Sequence, residues 1–191
     1  MMKRSEINSL VRAAGAFYQK NGWILPPNPR WDVTDFGLGD YKHYGLILIN
    51  LAEEIEYCEK LMYAQKGMTT PLHYHKKKKE DIIARAGSFK ILLYPPGDIA
   101  QTKGQEFTVN ICGVPTIIKG GDTIQIKAGE RITLVQGVVH EFYPDVDEAI
   151  IGEVSTANDD VNDNYFLNPD VGRYPEIVED EPSLLRLLSD K

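Results

Sequence analysis

The residues best suited to chemistry lie in segment 67–87, GMTTPLHYHKKKKEDIIARAG, which has a glycine at each end. His73 and His75 are separated by one residue, and Glu80 follows five residues after the second histidine. Alternate side chains of a β-strand leave the same face, so the two imidazoles point the same way. The lysine run is typical of a turn, after which Glu80 returns on a neighbouring strand. Two imidazoles and a carboxylate at one point are the usual ligands of a divalent transition metal.

Segment 129–144, GERITLVQGVVHEFYP, supplies a further histidine, His140. Together the two segments resemble the paired motifs of the cupin superfamily. The first motif matches at all five of its marked positions, which are Gly67, His73, His75, Glu80 and Gly87. The second has the spacing of Gly129, Gly137 and His140, but Val135 replaces the usual proline and Pro144 a common asparagine. Both departures concern strand and turn geometry. The resemblance therefore implies four metal ligands: His73, His75, Glu80 and His140.

Three imidazoles and one carboxylate leave open positions on a six-coordinate ion. Manganese, iron, nickel, cobalt and zinc all accept such ligands, and the order of their affinities does not choose between them. A metal site with open positions beside a substrate indicates catalysis rather than a structural role.

The elements that must hold these ligands are mostly strands. From residue 45 to residue 155 short apolar and alternating runs are separated by turn residues such as Pro-Pro-Gly-Asp and Gly-Gly. This pattern predicts an antiparallel barrel or sandwich. With the motif resemblance, we expect an all-β protein, a cupin double-stranded β-barrel of the jelly-roll kind.

Helices are expected only at the two ends of the chain. Ile7, Leu10, Val11 and Ala14 follow helical spacing, and PSLLRLLSD near the C-terminus predicts a short helix. We expect a single cupin domain over 1–191, with an N-terminal helix and arm in 1–44, the barrel in 45–156 and a C-terminal extension in 157–191.

Composition excludes several classes of protein. Lys and Arg total 21 against 28 Asp and Glu, and the net charge of −7 argues against a nucleic-acid-binding protein. Two cysteines are too few for a disulfide scaffold, which indicates a reducing compartment. Since the sequence shows neither a signal peptide nor a membrane-spanning apolar run, we expect a cytoplasmic protein with no membrane partner.

A more specific resemblance lies outside the two motifs. The arm WILPP, the segment WDVTDFGLGD, the strand GLILINL, the run from EKLMYAQKG through the histidines to EDIIARAG, and the later GEVSTANDDVNDNYF and GRYPEIVEDEP resemble the D-lyxose isomerase family. The resemblance implies a manganese-dependent aldose–ketose isomerase that interconverts D-lyxose with D-xylulose, and commonly D-mannose with D-fructose, through a metal-stabilised enediol. It also implies a homodimer.

Isomerisation needs groups that move protons between adjacent carbons. Lys78 has the same parity as Glu80, and a nearby metal and partial burial are expected to lower its pKa. The resemblance also favours Lys78, and Glu153 on the last strand is the candidate carboxylate partner. Candidates for binding sugar hydroxyls are Asp163, Arg173 and Asp32.

Two other functions use the same ligand set. An iron-dependent cupin dioxygenase would consume oxygen, although the polar, acidic tail suits a polyol better than an apolar substrate. A non-catalytic sugar-binding cupin would bind without turnover, but no DNA-binding helix pair or basic patch accompanies the barrel.

Overall fold

The computed structural model describes residues 1–156, 159, 162–172 and 176–190. Within these residues it contains two helices and thirteen strands. The helices are α1 (Arg4–Lys20) and α2 (Ile99–Thr102). The strands are β1 (Arg30–Thr34), β2 (Leu46–Glu53), β3 (Tyr57–Gln65), β4 (His73–Tyr74), β5 (Glu80–Ala86), β6 (Ser88–Tyr94), β7 (Glu106–Ile111), β8 (Val114–Lys119), β9 (Asp122–Lys127), β10 (Arg131–Leu134), β11 (Val139–Pro144), β12 (Glu148–Thr156) and β13 (Tyr165–Phe166).

The strands form two antiparallel sheets, which confirms the expected all-β cupin barrel. The larger sheet has the order β1-β2-β3-β12-β5-β10-β7-β8, and the smaller has the order β13-β4-β11-β6-β9. Strands distant in sequence are therefore neighbours, as in a jelly roll. The first motif straddles both sheets, because β4 belongs to the smaller and β5 to the larger.

Strands β2 and β3 are buried on both faces, with a separate core on each. Ile47 and Ile49 of β2 pack outward, together with buried side chains of α1 such as Ile7 and Ala14. The alternate residue Leu46 packs inward, in the core between the two sheets. This alternation follows from the two-residue period of a strand. The N-terminal helix thus covers the outer face of the larger sheet at β1, β2 and β3, and the inner face is left to form the barrel interior.

The predicted C-terminal helix is wrong. Residues 182–190 form turns and an isolated bridge, in which Leu187 pairs with Trp31 of β1. The backbone N–H of Leu184 donates to Asn8 Oδ1 over 3.0 Å, and that of Leu188 donates to the Trp31 carbonyl over 2.9 Å. A helix of this length is marginal alone, so these tertiary hydrogen bonds prevail.

The sequence also missed α2, a single helical turn in a region predicted to hold only strands and turns. Asp98 caps it, accepting a 2.9 Å hydrogen bond from the Ala100 N–H. In the part of the chain described here, no helix is long and apolar enough to cross a membrane.

The C-terminal extension is fixed to α1 by the buried side chain of Arg4. Its guanidinium lies 2.5 Å from Glu179 Oε1 and 2.7 Å from Asp190 Oδ1. Nearby, Ser5 donates to Asp180, and Asn8 donates to Glu181. These contacts hold residues 179–190 against α1, and Leu188 and Ser189 contribute to a cavity wall.

Candidate active site

Three histidines meet at one end of the barrel, as the motif spacing predicted. His73 on β4 and His140 on β11 are direct cross-strand partners. His75 follows β4, and one nitrogen from each of the three rings lies within 4.8 Å of the others. Glu80, at the start of β5, completes the group: its Oε1 is 3.2 Å from His140 Nε2 and 3.5 Å from His75 Nε2.

The backbone fixes the orientation of each imidazole. Nδ1 of His73 lies 2.8 Å from the Pro71 carbonyl oxygen, and Nδ1 of His140 lies 3.1 Å from that of Val138. Nδ1 of His75 lies 2.6 Å from the Asp163 carbonyl oxygen. A carbonyl only accepts, so each Nδ1 carries the proton and each Nε2 of a neutral ring presents a lone pair.

The charge state of the ligands suits a cation. Burial, together with the neighbouring His140 and His75, holds the pKa of His73 well below its usual value. Burial also lowers the pKa of His75. Among the described residues, His75 Nε2, His140 Nε2 and Glu80 Oε1 have no hydrogen-bond partner although they are buried. Lone pairs that face one another without a proton repel, so this set fits a divalent metal ion held by the three histidines and Glu80.

Lys78 and Glu153 lie immediately beside the metal-ligand group. Lys78 Nζ is 2.9 Å from Glu80 Oε2 and 2.9 Å from Glu153 Oε1. Burial would lower the pKa of Lys78, but attraction to Glu153 and Glu80 outweighs it and raises the pKa above its ordinary value. The expected lowering of this pKa is thus not supported by the surrounding protein groups, which hold Lys78 as an ammonium ion.

Asp163, a candidate for binding sugar hydroxyls, makes backbone contacts that the sequence did not predict. Its carboxylate accepts hydrogen bonds from the backbone N–H groups of Lys76, Lys77 and Lys78, at 2.9–3.1 Å. These bonds lower the pKa of Asp163 although burial opposes the shift. With its carbonyl bonded to His75, Asp163 restrains the turn between His75 and Glu80.

Of the other two candidate sugar-binding residues, one lies in the described part of the structure and one does not. Asp32 on β1 lines the cavity beside the ligand group, and its Oδ1 accepts a 3.0 Å bond from the Val33 N–H. Arg173 lies outside the described residues.

A cavity of about 350 Å³ opens onto the three histidines and Glu80. This volume lies in the range of small-molecule sites. Its inner wall includes two polar residues that sequence reasoning missed, Asn50 on β2 and Lys60 on β3. A polar residue alternating with inward-facing leucines, as in LILIN, is the signal that could have identified Asn50. Loop and tail residues such as Phe36 and Phe166, whose ring centroids are 6.0 Å apart, close the other side.

Solved structures with the same architecture include sugar isomerases. The L-ribose isomerase of Cellulomonas parahominis superposes with a TM-score of 0.68, covering 89% of this chain and 94% of that one, at 16% identity. The L-ribose isomerase of Acinetobacter sp. DL28 gives 0.67 at 18% identity over the same shares. At these identities the likeness shows the fold alone.

Sequence comparison goes further. Residues 28–191 match the D-lyxose isomerase family. The D-lyxose/D-mannose isomerase of Escherichia coli O157:H7 is 33% identical, covering 99% of this chain and 98% of its own length. The corresponding protein of Serratia proteamaculans is 36% identical, covering 95% and 94%. These matches favour the isomerase over the dioxygenase and over a non-catalytic binding protein. The chain therefore belongs to the D-lyxose isomerase family and is an isomerase.

Proposed function

We propose that this isomerase interconverts D-lyxose with D-xylulose, and also D-mannose with D-fructose, with Mn²⁺ at the histidine centre. The observation that carries the proposal is the Lys78–Glu153 pair placed directly against the metal-ligand group, at 2.9 Å from Lys78 Nζ to a carboxylate oxygen on each side. A divalent cation held by His73, His75, Glu80 and His140 would polarise the sugar carbonyl and stabilise developing negative charge.

The chain's own residues would supply the proton transfers. Glu153, whose Oε1 accepts from Lys78, is the proton acceptor of the pair and removes the proton from C2 of the aldose. Lys78, an ammonium in this setting, donates a proton to O1. Glu153 then returns its proton to C1 while Lys78 recovers one from the C2 hydroxyl. Both residues end in their starting states, so the scheme is balanced and needs no co-reactant.

The test is an assay of ketose formation from D-lyxose and D-mannose by manganese-loaded protein. Glu153→Gln and Lys78→Met should each lower kcat by about 10²–10⁴-fold while the protein keeps its metal, because general acid–base groups contribute on that order. Lys79→Met is the matched control, since Lys79 belongs to the same lysine run but its side chain is exposed. Absence of turnover for every free aldose would refute the function, and full activity of both variants would refute the assigned roles.

We also propose a cytoplasmic homodimer. The family resemblance supports the dimer, and the low cysteine content supports the compartment. Light scattering of the full chain measures the mass, and a monomer at working concentration would contradict the dimer.

A further inference from the structure

A row of polar side chains continues from the proton-transfer pair across the inner face of the larger sheet. Lys60 on β3 is the direct cross-strand partner of Glu153 on β12, and Asn50 on β2 is the direct partner of Lys60. Direct partners share a face, so all three side chains project into the barrel. Asn50, Lys60 and Glu153 are only 7%, 5% and 6% exposed, and all three line the cavity.

Packing does not explain this row. The neighbouring inward positions, Leu48 on β2 and Met62 on β3, are apolar. Asn50 Oδ1 is buried without a hydrogen-bond partner among the described residues. An unsatisfied buried acceptor destabilises the folded state, and a leucine of similar shape would avoid this cost. The amide is therefore unfavourable for folding and calls for a ligand that can bond to it.

The row's electrostatics favour a neutral ligand. Lys60 Nζ lies 3.8 Å from Glu153 Oε1, and Lys78 lies between Glu153 and Glu80. Within the row the carboxylate of Glu153 opposes the charge of Lys60, so the end of the row at Asn50 offers no unopposed cation for a phosphate group. A hydroxyl both donates and accepts, and can bond to an amide without a net charge.

The spacing of the row matches an extended sugar. Two strand spacings separate Asn50 from Glu153, or about 10 Å along the hydrogen-bonding direction of the sheet. If C1 and C2 react beside Glu153, the rest of an open-chain aldose extends along the row. Resting on the proposed function, we infer that Asn50 binds the terminal hydroxyl of an unphosphorylated open-chain aldose, with Lys60 contacting the hydroxyls between. Asn50 is then a specificity-determining residue.

A substrate lacking one hydroxyl tests this assignment. In the manganese-loaded protein, Asn50→Leu should lower kcat/KM for D-lyxose by about 10–100-fold, the loss typical of one buried hydrogen bond. For 5-deoxy-D-lyxose, which has no terminal hydroxyl to lose, the same substitution should change kcat/KM by less than about threefold. Equal losses for the two substrates, or no loss for D-lyxose, would overturn the inference.

A stability measurement separates this role from a structural one. Because the amide oxygen of Asn50 has no hydrogen-bond partner among the described residues, replacing Asn50 with leucine should leave the melting temperature unchanged or raise it. Asn8→Leu is the matched control, since this buried amide bonds to Glu181, Pro182 and Leu184. It should lower the melting temperature and leave the ratio of kcat/KM for D-lyxose to that for 5-deoxy-D-lyxose unchanged. A clear drop in the melting temperature of Asn50→Leu would indicate a packing role and contradict the inference.

A binding experiment keeps the inference testable if no aldose is turned over. D-arabinitol, the alcohol obtained by reducing D-lyxose, cannot isomerise, and calorimetry reports its affinity for the manganese-loaded protein. A tenfold or greater loss of affinity in Asn50→Leu supports the hydroxyl contact even where the isomerase proposal fails. Unchanged affinity contradicts it even where that proposal holds.

Discussion

Removing the Asp163 carboxylate tests whether this residue holds the site together or binds sugar. In Asp163→Ala, the backbone N–H groups of Lys76, Lys77 and Lys78 lose their acceptor. The turn that connects His75 to Glu80 then loses its main restraint. Both ends of that turn carry proposed metal ligands, so we expect metal binding to be affected before substrate binding.

The size of the effect follows from these three donors. A hydrogen bond to a charged group contributes about 1.5–3 kcal/mol, but water can replace the carboxylate at N–H groups near the surface. The side chains of Lys76 and Lys77 are exposed, whereas Lys78 is 4% exposed. If the hydrogen bond from Lys78 is counted fully and those from Lys76 and Lys77 are counted in part, the free energy of unfolding falls by about 3–4 kcal/mol. For a chain of this size the melting temperature should fall by about 6–16 °C. Loss of such an orienting contact typically weakens metal affinity by about 10–100-fold.

The assay is a manganese titration of metal-free protein with a parallel melting curve, followed by kinetics at saturating metal. Asp170→Ala is the matched control, because Asp170 is an exposed aspartate of the same extension. Wild-type metal affinity and melting temperature in Asp163→Ala, with only KM for the sugar raised, would refute the positioning role and restore the expected sugar contact.

Three further outcomes follow from the same contacts. His75→Ala should abolish stoichiometric manganese binding, measured by elemental analysis, because it removes one of the convergent lone pairs; retained metal would argue against the ligand set. Chelation should lower the melting temperature of wild-type protein, since a ligand present at 100 times its Kd contributes about 2.7 kcal/mol, and His75→Ala should not respond. Arg4→Met should lower the melting temperature by about 4–8 °C for a loss of about 2 kcal/mol. Burial opposes the shift, but the Arg4 hydrogen bond lowers the pKa of Asp190. The stability that the Arg4–Asp190 pair contributes is therefore fully present above about pH 4 and is lost as pH falls through the lowered pKa of Asp190. The difference in melting temperature between Arg4→Met and wild type should therefore narrow in acid. An unchanged difference at pH 3 would contradict this account.

The cluster of three histidines could be predicted because its geometry is local. His73 and His75 share a strand face by parity alone, and His140 lies at a fixed spacing within its own motif. Lys78 is buried as well, but it precedes β5, so the strand parity of Glu80 does not account for its direction. Local spacing could not reveal that Lys78 lies between two carboxylates, because Glu153 comes from β12, far along the chain.

Long-range contacts also account for what the sequence could not predict. The hydrogen bonds of Asp163 to three backbone N–H groups more than 80 residues earlier leave no trace in its own neighbourhood. The leucines near the C-terminus have helical spacing, yet Asn8 and Trp31 bind the backbone N–H groups of Leu184 and Leu188.

The double burial of β2 and β3 has a consequence for changes in chain length. Deleting one residue before Lys60 in β3 would turn Leu61 and Tyr63 into the cavity and place the lysine against the helix. The pairing of β2 with β3 already contains a register shift between Asn50 and Ala52. An inserted residue at this point would therefore leave the inward-facing residues before it in register. Natural variants with insertions should therefore tolerate them beyond this point and in the connecting turns, but not within β3.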